Sequence, residues 1–379
     1  MKIKIPFNKP YVTGMETDYI CQAVEFGKIS GDGIFTEKCH RFFEEDYGFR
    51  KKLLTTSCTD ALEMAAILCD IKPGDEVIIP SYTFVSTANA FVRQGAKIVF
   101  VDSEQSTPNM DASKVEALIT SRTKAIIPVH YAGMACDMDS ILDIAQRYGL
   151  FVIEDAAQAI DSFYKGRRLG SLGHLSAFSF HETKNIISGE GGMLVINDEQ
   201  FIRRAEIIRE KGTNRSSFFR GEVDKYGWVD IGSSFLPSDI IAAFLFAQIE
   251  HLYEIQARRK MLWNLYFYLL SPLDEKSFFQ LPRIPEYATN NAHMFYLVCN
   301  SLDERDKLIR RLKEHDVMAV FHYQSLHKSL YYKNQSDGRE MPNADRYTDC
   351  LVRLPLYYEL GEQDIRVIAD VIKAFYFNY

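Results

Sequence analysis

Between residues 52 and 196 the chain alternates short apolar runs with stretches whose apolar residues recur at helical spacing. The runs at 52–55, 76–80, 98–101, 125–129, 150–154, 177–180 and 193–196 read as buried strands. The stretches at 59–69, 83–93, 112–119 and 138–148 read as helices between them. Such alternation predicts right-handed crossovers and a mostly parallel sheet with helices on both faces. Ligands of such sheets sit in the loops beyond the carboxyl ends of the strands. Ahead of this block the pattern predicts helices at 15–26 and 36–47, separated by the turn Ser30-Gly31-Asp32-Gly33. Behind it, a long helical region covers 238–270, apolar at Ile240, Ile241, Phe244, Leu245 and Ile249. After Pro272 the pattern changes to a strand at 293–298, a helix at 304–315, a strand at 317–321 and a final helix at 363–375. The expectation is an α/β protein with a large unit over 1–250 and a small C-terminal α/β unit over 251–379.

Composition narrows the function. The chain has 379 residues, 47% hydrophobic and 25% charged, as expected of an ordinary globular protein with ample core. A net charge of −7 with no basic stripe argues against a nucleic-acid partner. Lys307, Arg310, Arg311 and Lys313 read as one solvated helix face. Seven cysteines without C-x-x-C spacing predict neither a zinc site nor a redox pair, and no metal is expected. The odd count fits a reducing compartment. With no apolar run of 18 or more and no signal pattern at Met1-Lys2-Ile3-Lys4, the expectation is a soluble, cytoplasmic protein with no membrane partner.

The most informative stretch is Phe178-Ser179-Phe180-His181-Glu182-Thr183-Lys184-Asn185, followed by Ser188-Gly189-Glu190-Gly191-Gly192. It ends a buried strand with a lysine and closes on three glycines suited to a tight turn. Desolvation lowers a lysine's pKa and frees its amine to attack a carbonyl. The aldehyde most often held in this way is pyridoxal phosphate (PLP). Other strand ends carry matching groups. The turn Thr56-Ser57-Cys58-Thr59-Asp60 opens a helix, where free N–H groups form a phosphate site. Phe84 or Tyr82 offers a face for stacking a flat ring. In Ile153-Glu154-Asp155-Ala156-Ala157-Gln158, Asp155 suits a pyridine nitrogen, Ala157 is small enough to lie under the ring, and Gln158 suits a phenolic oxygen. Each feature alone has a plainer reading: a solvated lysine, a capping turn, a core aromatic, an N-cap aspartate. Their order along the chain, each at a strand end, favours the cofactor.

The pair Glu154-Asp155-Ala156-Ala157-Gln158 and Ser179-Phe180-His181-x-x-Lys184-Asn185, with Gly189-Glu190-Gly191-Gly192 after it, resembles the DegT-type nucleotide-sugar aminotransferases. So do the stretches 80–91, 129–133, 209–215 and 321–323, and the resemblance covers nearly the whole chain. It implies the fold-type-I PLP transferase architecture, with PLP in the large domain. It implies that Lys184 carries the cofactor and moves the proton, that Asp155 pairs with the pyridine nitrogen, and that the backbones of Cys58 and Thr59 with the Ser179 hydroxyl hold the phosphate. Cys58 stands where many relatives have glycine. Ser234, in Gly232-Ser233-Ser234-Phe235, stands where many relatives carry an asparagine that reaches the neighbouring subunit's phosphate. A homodimer with shared active sites is therefore implied. So is transfer of an amino group from L-glutamate to the 4-keto carbon of a dTDP-4-keto-6-deoxy sugar. The alternatives are a 3-keto sugar, the opposite configuration at C4, or a non-catalytic sugar-binding paralogue. Asn214, Arg215, His322 and Tyr323 are the expected sugar-nucleotide residues, with His327 close by and some groups coming from the partner. Arginine's fork suits a diphosphate, and histidine and tyrosine suit sugar hydroxyls.

Overall fold

The computed structural model describes residues 3–377. The chain enters through helices α1 (Glu16–Glu25) and α2 (Ile34–Glu45). The large unit then builds β1 (Lys51–Thr55), α3 (Cys58–Leu68), β2 (Glu76–Pro80), α4 (Val85–Val92), β3 (Lys97–Val101), β4 (Thr123–Ile126), α5 (Met138–Tyr148) and β5 (Phe151–Asp155). A two-residue hairpin, β6 (Phe163–Tyr164) and β7 (Arg167–Arg168), precedes β8 (Leu175–Ser179) and β9 (Gly192–Ile196). Helices α6 (Ile202–Arg209), α7 (Arg215–Phe219), α8 (Asp239–Glu250) and α9 (Leu252–Asp274) follow. The small unit contains β10 (Phe295–Val298), α10 (Leu302–Glu314), α11 (Pro342–Cys350), β11 (Leu351–Leu354) and α12 (Glu362–Phe377).

Seven strands form the main sheet in the order β1-β9-β8-β5-β4-β2-β3. Only β9 runs against its neighbours; the other paired strands are parallel. The runs are apolar on both faces because both faces are covered. Successive strand residues point to opposite sides, so Val77 and Ile79 join one core while Ile78 joins the other. The first core includes α3 and the small unit; the second includes α2, α5 and α8. This double-sided packing puts the carboxyl ends of β1, β2, β5 and β8 on one edge.

Several sequence expectations need correction. The stretch 112–119 is not a helix but two 3₁₀ turns, Ala112–Lys114 and Glu116–Leu118, the first capped by Asp111 accepting from Ser113 N–H. Only Ala112 and Val115 are buried there, too few for an amphipathic stripe. The fourth strand stops at Ile126, since Pro128 has no N–H for the ladder, and Val129 rejoins by a single bridge to Asp155. The long helical region is two helices that break at His251, and the second continues through Pro272 in its last turn. Residues 317–321 form no strand: Val317 bridges Ile5 and Val320 bridges Arg353. The true partner of β10 is β11, antiparallel, with Phe295 opposite Leu354. That four-residue run follows α11 directly, without a turn residue to mark it.

Candidate active site

Thr55, Gly192 and Ser179 lie side by side at the ends of β1, β9 and β8. Beyond Thr55 the chain turns into α3, whose N-cap Ser57 accepts from the Asp60 N–H. The N–H groups of Cys58 and Thr59 have no acceptor among the described residues. A Cβ at position 192 would collide with the Ser57 carbonyl and the Cys58 nitrogen, so only glycine lets this turn lie against β9. The Ser179 oxygen accepts from His181 N–H at 3.3 Å, which leaves its own proton free to donate. Two open N–H groups, a hydroxyl and a helix N-terminus together form an anion cradle. Cys58 is not among the residues at positive φ, so the turn does not require the glycine that many relatives carry.

Asp155 ends β5 and is buried. One carboxylate oxygen accepts from the Thr87 hydroxyl at 2.7 Å and the other from the Ala157 N–H at 3.2 Å. Burial pushes its carboxyl above the ordinary range, against the pull of these bonds and of Lys184. It makes no ion pair among the described residues, and no helix starts after it, so the N-cap reading does not describe it. Its neighbour Glu154 points to the other face of the sheet. There it accepts from N–H groups of Gly170, Leu172 and Gly173 and pairs with His130 at 3.0 Å. Burial raises the Glu154 carboxyl, but His130 and these N–H groups outweigh it and hold the acid below its ordinary range. The β-strand period thus makes Glu154 a strut and leaves Asp155 facing the cavity.

Lys184 lies in the loop between β8 and β9. That loop is closed by Ser188 N–H to the Phe180 carbonyl and Glu182 N–H to the Gly189 carbonyl, with Gly189 at φ +80°. The lysine is half-buried and lines the same cavity as Asp155. Burial pushes its ammonium below the ordinary range, partly offset by Cys58 and Asp155. The cavity has a volume of about 510 Å³ and also takes in Phe84, Ala157, Gln158, His322 and Tyr323. Gln158 accepts from Ala132 N–H at 2.6 Å and donates to the Tyr323 hydroxyl at 3.0 Å, which leaves one amide proton. The His322 ring stacks on Tyr323 at 3.5 Å between centroids and shares a 2.6 Å hydrogen bond with the Tyr131 hydroxyl. Tyr82, the alternative stacking face, is instead buried among Tyr131, Tyr323 and Tyr347. His327 is also buried and bonds Ser81 at 2.7 Å, away from the cavity.

Three expected residues are not brought into this chain's cavity. Asn214 accepts from Gly227 N–H at 2.8 Å. Arg215 opens α7, 3.6 Å from Glu210, with its guanidinium over the Phe219 ring. Ser234 is exposed and bridges Glu210. Conversely, the cavity includes residues that sequence reasoning passed over. Thr87 holds Asp155, and its one signal was a hydroxyl placed one turn after Phe84. Arg353, an arginine inside an otherwise apolar strand run, has no carboxylate partner among the described residues, and its Nε has no hydrogen bond. It donates to the Phe321 carbonyl and lies over the Phe7 ring. His293 carried no sequence signal beyond its place in an apolar run.

The model of the DegT/DnrJ/EryC1/StrS aminotransferase family matches residues 11–373. The spore coat polysaccharide biosynthesis protein SpsC of Bacillus subtilis is 33% identical over 388 residues, 98% of this chain and 97% of that protein. The PLP form of Spr1654 from Streptococcus pneumoniae superposes with a TM-score of 0.89 at 26% identity, covering 99% of each chain. The aminotransferase from Psychrobacter cryohalolentis does so with a TM-score of 0.91 at 26% identity, covering 97% of this chain and 98% of the other.

Proposed function

This chain belongs to the DegT/DnrJ/EryC1/StrS aminotransferase family, and from that premise we propose that it moves an amino group from L-glutamate to the 4-keto carbon of dTDP-4-keto-6-deoxy-D-glucose. The product is dTDP-4-amino-4,6-dideoxy-D-galactose, a precursor of surface polysaccharide. The observation that carries the reading is the shared cavity of Asp155, Lys184 and the anion cradle. A buried carboxylate with no cation to pair with, a desolvated amine and a phosphate-sized nest of donors are the three groups a PLP molecule requires.

PLP supplies a ring that accepts electrons from the substrate carbon while its nitrogen stays protonated. The residues do the rest. Asp155, fixed by Thr87 and Ala157, would hold the proton on that nitrogen. The Cys58 and Thr59 N–H groups and the Ser179 hydroxyl bind the phosphate. Phe84 and Ala157 line the cavity and would pack against the ring, and the spare Gln158 proton would suit the phenolic oxygen. Lys184 would anchor the cofactor and move the proton at the substrate carbon. Arg353 brings positive charge to a cavity whose substrates are anionic. We read the enzyme as a cytoplasmic homodimer in which Ser234, Asn214 and Arg215 serve the partner's cavity. Exposed Phe26, Ile29, Phe219, Trp228 and Ile231 support that reading, since a soluble monomer seldom leaves so many large apolar side chains uncovered. We place the division between the PLP-binding domain, 1–250, and the small domain, 251–379, at the His251 break.

The purified protein should be yellow, bleach with L-glutamate and recover its colour with the keto-sugar nucleotide, and NMR of the product should show an axial C4 amine. A colourless protein that takes up no PLP would support the non-catalytic paralogue instead. Gly192→Ala should weaken PLP binding by roughly tenfold or more, because the added methyl displaces the N–H groups aimed at the phosphate. Fluorescence titration of the cofactor-free protein measures this, and unchanged affinity would remove the cradle from the site. Arg215→Ala and Tyr323→Phe should raise the sugar-nucleotide KM about tenfold while L-glutamate bleaches the colour at the parental rate. If either variant slows the glutamate step equally, that residue serves the cofactor site or folding.

A further inference from the structure

Lys184 and Arg353 are the only lysine and arginine among the described residues that line the cavity. Lys184 is the amine that would anchor the cofactor, which leaves Arg353 as the permanent cation for an anionic substrate. The Arg353 backbone is fixed on both edges. Tyr296 stands opposite it in β10, and Val320 exchanges two hydrogen bonds with it, at 2.8 and 3.1 Å. The guanidinium itself is only partly used. Nη2 donates to the Phe321 carbonyl at 3.3 Å, and Nε is enclosed without a partner. Nη1 has no partner among the described residues and is not one of the enclosed unpaired atoms, so it stays open to a ligand. Burial pushes the guanidinium below its ordinary range, modified only by the Tyr131, Tyr323 and Tyr82 hydroxyls; no carboxylate is among the groups that counter its charge. A half-buried cation without a counter-ion is an unfavourable placement, and a bound anion relieves it.

The Phe7 ring supports the guanidinium, with its centroid 4.6 Å away. Phe7 belongs to the segment ahead of α1, which is pinned at intervals. Ile5 N–H donates to the Asp316 carbonyl, and the Ile5 carbonyl accepts from Met318 N–H. Asn8 donates to the Glu182 carbonyl at 3.3 Å, and Lys9 pairs with Glu359 at 2.8 Å. The segment therefore crosses from the small unit to the loop that carries Lys184, and Phe7 lines the cavity between these ties. The chemistry of the two substrates decides which anion the arginine fits. An amino donor keeps a carboxylate on the carbon that bears its amino group, so the cation for it has to share the cavity with Lys184, as Arg353 does. A sugar nucleotide's diphosphate is separated from the reacting carbon by the sugar ring. It also carries two charges, more than an arginine with one open edge balances. His322 is no rival cation: burial, and after it the charge of Arg353, hold its ring well below its ordinary pKa, so it is neutral.

We propose that Phe7 and Arg353 together form the subsite for the amino donor's carboxylate: Arg353 meets the anion, and Phe7 is a positioning residue that holds the guanidinium in place. This rests on Lys184 being the amine that anchors the cofactor. Two residues from opposite ends of the chain then build one specificity element. Asn8, next to Phe7, bonds the loop that carries Lys184, so one short stretch of chain sets the subsite against the reactive amine.

The test titrates L-glutamate into the yellow holoenzyme and reads the half-saturating concentration apart from the limiting rate of bleaching. In Arg353→Gln half-saturation should rise about tenfold or more, the loss of a charge-assisted hydrogen bond. In Phe7→Leu, which keeps an apolar side chain and loses the ring face, it should rise about threefold or more with the limiting rate near the parent's. Calorimetry adds a readout that needs no turnover. Glutarate, a dicarboxylate with no amine to transfer, should bind the parent and bind Arg353→Gln about tenfold more weakly, while dTDP binds both alike. Parental half-saturation in either variant overturns the proposal. Weaker dTDP binding in Arg353→Gln assigns the arginine to the diphosphate and overturns it too. A slower limiting rate at unchanged half-saturation makes the pair a support for Lys184, which also overturns it. If Arg353→Gln does not fold, Phe7→Leu and the parent's own affinity for glutarate carry the test, and a parent that binds no glutarate overturns the subsite. A parent that takes up no PLP instead sinks the proposed function, while glutarate binding still judges Arg353.

Discussion

Lys184→Ala should keep the parental fold and assembly and transfer no amino group, a loss on the order of 10³-fold or more. The side chain makes no hydrogen bond or ion pair among the described residues, so truncation removes little that holds the loop. It also removes an ammonium that burial already disfavours. The loop keeps its backbone bonds to Phe180 and Gly189 and the Asn185 bonds to Gln256 and Asn291. A melting curve should therefore overlay the parent's, while turnover of L-glutamate with the keto-sugar nucleotide vanishes. Among the described residues no second lysine lines the cavity. Lys165, the nearest rival in sequence, sits at φ +47° in the β6–β7 turn and pairs with Asp139 on the surface at 2.5 Å. Turnover near the parental rate in Lys184→Ala would remove the lysine from the chemistry.

Asp155→Asn should bind PLP and lose more than tenfold in kcat, a barrier increase above about 1.4 kcal/mol. The amide is isosteric: its oxygen can still accept from the Ala157 N–H while its NH₂ donates to the Thr87 hydroxyl oxygen, so the local packing survives. What disappears is the negative charge that, in the proposed reading, would keep the pyridine nitrogen protonated. Stability should hold or rise, because burial disfavours the carboxylate in the parent. The two readouts move in opposite directions, which a damaged fold cannot imitate. More than about a tenth of the parental kcat would make Asp155 a turn-forming residue that merely caps Ala157.

The strands β2, β5, β8 and β9 were legible because each is a mostly apolar run buried on both faces, and β-structure buried on both sides writes itself as such a run. Asp155, Lys184 and the Ser57–Thr59 turn were legible for the same reason: a polar group ending an apolar run has to face something. The small unit was harder to read. β11 is four residues long and its α11 has few apolar positions, so neither carries a strong period, and 317–321 took the strand reading that belonged to 351–354. Arg353 was lost along with that strand.

Local pattern by itself determined which polar groups close the main strands and in what order, because burial and turn chemistry act over a few residues. Only the tertiary structure decided that Thr87 fixes Asp155, that Tyr82 is core while Phe84 is cavity, and that Arg353, from the far end of the chain, lines the same cavity as Lys184. The hydrogen bond between Asn185 and the His293 ring belongs to the same class. It depends on Asn185, Gln256 and Asn291, residues 106 positions apart at the extremes, and a hydrogen bond's direction exists only once its donor and acceptor have been brought together.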